Sequence, residues 1–201
     1  MGLFSKLFGS GKNDFTPSAD CMPEDKFWHL IAASRDAAGG DPEEQESALT
    51  TLLQELPLND LITFENRYRQ LRGQAYTWPL WGAVYIINGG CGDDSFCYFR
   101  DWLIAQGREV YTNTLADPEW LADFDFPEEE TDLDGEVISS KAIFAEEMGY
   151  IADSVFQQRT GKRIPAEFAE NSEVTGPEWK EEGDDLARMF PRLWKERNGC
   201  E

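Results

Sequence analysis

Four polar residues lie close together in an otherwise apolar stretch: Asn88, Asp93, Asp94 and Arg100. Either carboxylate would serve as a general base, and the guanidinium would hold an anionic group of a substrate. Trp81, Tyr85 and Trp102 flank the set, so one expectation is a small polar pocket under an aromatic wall, binding a polar ligand or doing acid–base work. The competing expectation is structural. One of Asp93 and Asp94 caps the next helix, the other pairs with Arg100, and the corner only holds two helices together. A pair of carboxylates does not choose between these readings.

Two helices must present those residues. On a 3.6-residue period Trp78, Trp81, Tyr85 and Asn88 share one side of a helix over 78–88, and Gly89-Gly90 supplies the dihedral freedom of a sharp exit. A second helix over 95–106 turns Phe96, Phe99 and Leu103 inward, with Arg100 between Phe96 and Ile104. A cation on the apolar side needs an anion. The pair forms a buried helical hairpin with a polar corner.

Helical signals surround it. Pro23, Glu24 and Asp25 open a helix carrying Phe27, Leu30, Ile31 and Ser34 on one face, and Gly39-Gly40 ends it. Asp41-Pro42-Glu43-Glu44 reads as a capped start, followed by Leu49, Leu52, Leu53 and Leu56 up to Pro57. Asn59 is placed to cap a third helix with the stripe Leu61, Phe64, Tyr68 and Leu71 and an i,i+4 pair of Glu65 with Arg69. A further helix is expected over 140–158, with Phe144, Met148, Ile151 and Val155 on one face. Near the end, Leu186, Met189 and Phe190 suit a short helix, and Pro191 starts another with Leu193 and Trp194. No segment alternates as a strand would. The expected fold is all-α, an irregular multi-helix bundle with a helical core domain over 23–160, a flexible amphipathic tail over 1–22 and an acidic extension over 161–201 that docks back on the core.

Other chemistry has little behind it. Glu130, Asp132, Asp134, Gly135 and Val137 follow a calcium loop, but its last position, which requires a bidentate Glu, is Lys141. The stretch 117–136 is instead expected as an acidic surface loop, pinned to the core by Trp120, Leu121, Phe124 and Phe126. His29 has no Cys or Ser framework near it, and Cys21, Cys91, Cys97 and Cys200 form no C-x-x-C pair. Neither metal nor cofactor is expected. No phosphate loop, dinucleotide fingerprint or serine elbow occurs.

Charge sets the class of partner. With 18 Lys plus Arg against 39 Asp plus Glu, the net charge is −21, which repels nucleic-acid phosphate and anionic headgroups and favours a basic protein. Asp125, Glu128, Glu129 and Glu130 are the candidate surface for it. The N-terminus lacks the long apolar run of a secretory signal, and Lys6 stands where a myristoylation site wants Ser or Thr. Leu3, Phe4, Leu7 and Phe8 share a helical face that would dock weakly on a membrane or a partner. A cytoplasmic protein with reduced thiols and no stable membrane insertion is expected.

The block from Trp78 to Gly107, with Trp81-Gly82-Ala83, Tyr85, Ile87-Asn88-Gly89-Gly90-Cys91, Asp93-Asp94, Phe96, Tyr98-Phe99-Arg100 and Trp102-Leu103-Ile104, resembles the bacterial domains of unknown function called DUF4240. The resemblance spans about 24–158, starting with Phe27 to Ile31. It implies a bacterial cytoplasmic domain with an important corner and brings no activity with it. The leading expectation is therefore an acidic, non-catalytic binding protein, an immunity protein that neutralises a basic bacterial toxin domain. The alternative is an enzyme or small-ligand sensor using the hairpin corner.

Overall fold

Helix boundaries follow the caps. α1 (Glu24–Ala38) starts after Pro23 and stops where Gly39 takes a left-handed φ of 61°. α2 (Pro42–Gln54) begins at Asp41, whose carboxylate accepts from the amides of Glu43 at 2.9 Å and Glu44 at 3.1 Å. Amides of a first turn have no partner inside the helix. Asp41→Ala is therefore expected to lower stability by about 1 kcal/mol. The readout is a lower urea midpoint at constant slope. An unmoved midpoint would mean that water caps as well as the carboxylate does.

α3 (Leu58–Gln74) starts after Pro57 with no side-chain cap. Asn59, expected as that cap, accepts instead from the amide of Thr16 at 2.9 Å and so ties down the segment before α1. α4 (Trp78–Asn88) is capped by the Thr77 hydroxyl, 3.2 Å from the Leu80 amide. At its far end the amides of Gly89 and Gly90 reach the carbonyls of Ile86 (3.2 Å) and Tyr85 (2.9 Å), with Gly89 at φ 68°. That is the helix stop Gly89-Gly90 implies.

The structure is a computed structural model that describes residues 15–126, 130–131, 137–139, 143, 145–181 and 184–198. α5 (Asp93–Ala105) starts two residues before the expected Ser95, and α6 (Arg108–Ala116) follows, a helix the sequence period does not announce. A 3-10 turn at Pro118–Asp123 leads to a small antiparallel ribbon, β1 (Glu130–Thr131) with β2 (Val137–Ser139), where no strand was expected. The helix expected over 140–158 is shorter: a 3-10 turn at Glu147–Tyr150 precedes α7 (Ile151–Thr160), and Phe144 lies outside the described residues. One physical reason is visible at Ala145, whose amide donates to the Tyr98 carbonyl of α5 at 3.1 Å instead of to its own turn. α8 (Asp185–Met189) and α9 (Pro191–Asn198) close the chain as a short helical pair.

The molecule is all-α apart from that ribbon, a bundle of helices around one apolar cluster. Phe27, Leu53, Phe64, Phe99, Leu103 and Phe156 are fully enclosed in it. α4 packs against α8 and α9, and Leu186, Phe190 and Leu193 are buried there. In the acidic stretch Leu121 is enclosed, Phe126 stacks on Trp102 and Phe124 meets it edge-on, and Asp123 and Asp125 face water. Apolar residues pin that chain while its acids stay solvated, up to Phe126. Among the described residues no helix is long and apolar enough to cross a membrane.

Candidate functional site

α3 and α5 face each other, and the acid that α5 turns inward is Asp101, one residue beyond Arg100. Asp101 is 2 % exposed. The Tyr68 hydroxyl of α3 donates to its Oδ1 at 3.0 Å, and Arg72, one turn further along α3, comes within 3.6 Å of the same oxygen. From above, the backbone at Gly149 closes over the group, since a Cβ there would stand 3.0 Å from Asp101 Oδ2 and 3.2 Å from the Arg72 guanidinium. A side chain at Gly149 would have to push that pair back by a few tenths of an ångström.

Glu170, in the segment after α7, completes the network. Arg72 grips it with Nε at 3.0 Å and an amino group at 2.6 Å, a two-point contact suited to a carboxylate. Arg100, 7 % exposed, donates to the Arg72 carbonyl at 3.1 Å and to Glu170 at 3.3 Å. Its guanidinium lies 4.4 Å from the Tyr76 ring centroid and 5.4 Å from that of Phe96, where the ring faces attract a cation. Its Nε is buried without a hydrogen-bond partner.

Burial decides the protonation behaviour. It pushes the Asp101 carboxyl up to about 7, against the pull of Arg72, the Tyr68 hydroxyl and Arg100. Tyr68 is driven well above the ordinary phenol range, first by burial and then by the charge of Asp101. For Arg72 burial works against the charge, but the bond to Glu170 and the nearby Asp101 raise it on balance. The Cys97 thiol, on the same face of α5, is raised by burial and is not an activated nucleophile. Asp101 can take up a proton near neutrality, yet it is walled in by its own partners.

The four polar residues of the expected corner are not brought together. Asn88 turns its amide to the Gly90 carbonyl at 2.7 Å, closing its own helix end. Asp93 and Asp94 are exposed in the first turn of α5, whose N-cap is Gly92 with no side-chain bond, so neither caps and neither reaches Arg100. Arg100 points the other way, to Glu170. The reason is helix geometry: Asp94 lies about a third of a turn off the face of Arg100, and Asp93, closer to that face, stands about two turns, roughly 10 Å, away along the axis.

Trp81 stacks between Trp78 and Phe96 at 5.4 and 5.0 Å and donates to the Cys91 carbonyl at 2.9 Å. Tyr85 bonds to Glu181, while Trp102 packs against Phe99 on one side and Phe124 and Phe126 on the other. The aromatic wall exists, but its neighbours are hydrophobic rings and the chain after α7. Of the acidic surface set, Asp125 is exposed; Glu128 and Glu129, like the side chain of Glu130, lie outside the described residues, and so does most of the calcium-like loop.

Sequence reasoning missed Asp101, Arg72 and Glu170. A signal for Asp101 was present: its helical neighbours Cys97, Tyr98, Ile104 and Ala105 include no basic residue, which marks an acid carried on an apolar face. Cys21, Cys91 and Cys97 are free thiols, and among the described residues no three His, Cys, Asp or Glu side chains are grouped to hold a metal ion.

No curated protein and no solved structure matches the chain. A family model described as "Protein of unknown function (DUF4240)" matches residues 22–158, well over half of the sequence, and with it α1 to α6 and most of α7: the chain belongs to that family.

Proposed function

We propose that this chain is an acidic, non-catalytic binding protein for a basic protein partner, and more narrowly a bacterial, cytoplasmic immunity protein that neutralises a basic toxin domain. The observation that supports this reading is where the charges go. Most of the described arginines are occupied within the chain: Arg67 with Glu24, Arg69 with Glu65, Arg72 and Arg100 with Glu170, Arg108 with Asp25, Arg163 with Asp153 and Arg192 with Asp123. Acids outnumber bases by 39 to 18, so a large surplus of carboxylates is left to face solvent. Glu43 and Glu44 on α2, Asp36 on α1 and Asp94 on α5 are among the exposed ones. Such a field speeds and selects the encounter with a cation-rich surface. A ligand pocket at the hairpin corner has less support, because Asp93 and Asp94 face water while Arg100 turns inward.

Capture on the tagged full-length protein from its native cells should return a basic protein that is released by salt. Replacing Asp125, Glu128, Glu129 and Glu130 by their amides should slow its association on the order of tenfold. If the protein comes through alone, or holds its partner unchanged in high salt, the proposal fails.

A further inference from the structure

The segment after α7 does not pack as the rest of the molecule does. Over 165–181 most side chains face water, yet the backbone is held along its length. The amide of Glu167 donates to the Ser18 carbonyl at 3.1 Å and that of Phe168 to the Asn66 side chain at 3.0 Å. Further on, the Thr175 amide donates to the Tyr76 carbonyl at 3.1 Å, and the Thr175 carbonyl accepts from the Trp78 amide at 2.8 Å. The contact at Thr77 and Thr175 is a parallel bridge between extended chains.

Two side chains of this strap reach deepest into the face below it. Glu170 enters the clamp of Arg72 and Arg100, and nine residues later Trp179 lies edge-on to Trp78, 5.0 Å from Tyr85, with its Nε1 donating to the Trp78 carbonyl at 2.9 Å.

Both crossing points sit over a helical glycine, Gly73 in the last turn of α3 and Gly82 in the middle of α4. A Cβ at Gly73 of α3 would stand 3.1 Å from the Asn171 amide nitrogen and 3.3 Å from Glu170 Cγ; one at Gly82 of α4 would stand 2.9 Å from the Trp179 indole nitrogen. Glycine within a helix costs stability relative to alanine, and at both positions the space it leaves is filled by the strap. Backbone bonds along an extended chain with a few side-chain pockets are how domains recognise peptides. The clamp is also not saturated, since Arg100 keeps a buried donor over.

The clamp, the two glycines and the aromatic face all lie within 22–158, the part matched by the family, whereas the strap lies beyond it. We infer that this face of α3, α4 and α5 is a receptor for an extended acidic peptide bearing a glutamate and, nine residues on, a tryptophan, and that the chain's own strap fills it in cis. The partner class differs from that of the acidic surface: here a local pair of arginines on an acidic protein takes up carboxylate.

The test uses the full-length chain and a fluorescent synthetic peptide of residues 164–181. A tethered occupant competes at roughly millimolar effective concentration, so the wild-type protein should bind the peptide weakly. Glu170→Ala with Trp179→Ala removes both anchors of the strap but leaves the receptor intact, and should tighten peptide binding about a hundredfold. A peptide with alanine in place of its glutamate should lose most of that gain. If the double variant does not fold, Glu170→Gln alone, which keeps the side chain's size, should still tighten binding. Self-association of the variant without added peptide would identify a second copy as the source of the occupant. Folded variants that bind the peptide no better than wild type overturn the inference, and so does equal binding of the peptide lacking its glutamate.

Discussion

Arg72→Ala is expected to destabilise the protein by about 3–5 kcal/mol, the cost of removing one partner from a buried ion network. Arg72 holds Glu170 at two points and stands 3.6 Å from an Asp101 that is almost wholly out of water. Without it the two carboxylates share only Arg100 and the Tyr68 hydroxyl. A surface pair behaves otherwise, because solvent screens the charges and the long side chains resist ordering. Arg108→Ala, which breaks exposed contacts with Glu24 and Asp25, should barely move the urea midpoint. If the two variants lose the same stability, the network is open to solvent and the central claim about this site is wrong.

Stability should fall as pH rises from about 4 to about 7 through Asp101. In the folded protein burial holds this carboxyl up to about 7, against an ordinary value of 3.8. Across that window the folded state keeps a proton that the unfolded chain has released, so the stabilisation is complete below the unfolded value and is lost as pH passes the folded one. The slope approaches about 1.4 kcal/mol per pH unit and the whole effect has a ceiling of about 4 kcal/mol. The groups facing Asp101 are Tyr68 and Arg72 from α3, Arg100 and Cys97 from its own helix, and Glu170 from the strap. Glu65, also raised by burial, adds to the same trend. Asp101→Asn mimics the protonated acid and should flatten the profile between about pH 4 and pH 7. Parallel profiles for wild type and Asp101→Asn would assign the pH dependence to other carboxylates.

Most of the helices were legible because their ends are written locally. Gly39-Gly40, Asp41-Pro42, Pro57 and Gly89-Gly90 fix φ or supply a cap within a few residues, and the apolar stripes between them match the enclosed faces of α1, α2, α3 and α5; in α4 the expected side of Trp78, Trp81, Tyr85 and Asn88 is only half-buried, and Leu80, Ala83, Val84 and Ile86 are the enclosed residues. The short pair α8 and α9 was legible for the same reason, through Pro191. α6 was not, since Val110, Tyr111 and Thr114 make too brief a stripe to stand out from a loop. The ionic partners were illegible for a different reason. Arg100 was expected to find its anion nearby in sequence, whereas the carboxylate it meets is 70 residues away and the one Arg72 grips is 98 away. Nothing local encodes such a pairing. What the sequence did contain was the mismatch itself, a cation and an acid side by side on an apolar helix face.

The same distances set an order of assembly. Tyr68 and Arg72, Arg100 and Asp101, Gly149 and Glu170 come from four stretches of chain that are far apart. Helices with local caps can form early, but closing loops this long carries an entropic cost that only a collapsed core can offset. The carboxylate cluster is therefore expected to form in the final steps of folding, which low φ-values at Arg72 and Asp101 would check. Contacts made that late act mainly on the rate of escape from the native state, so the cluster serves as a kinetic lock on a bundle already built.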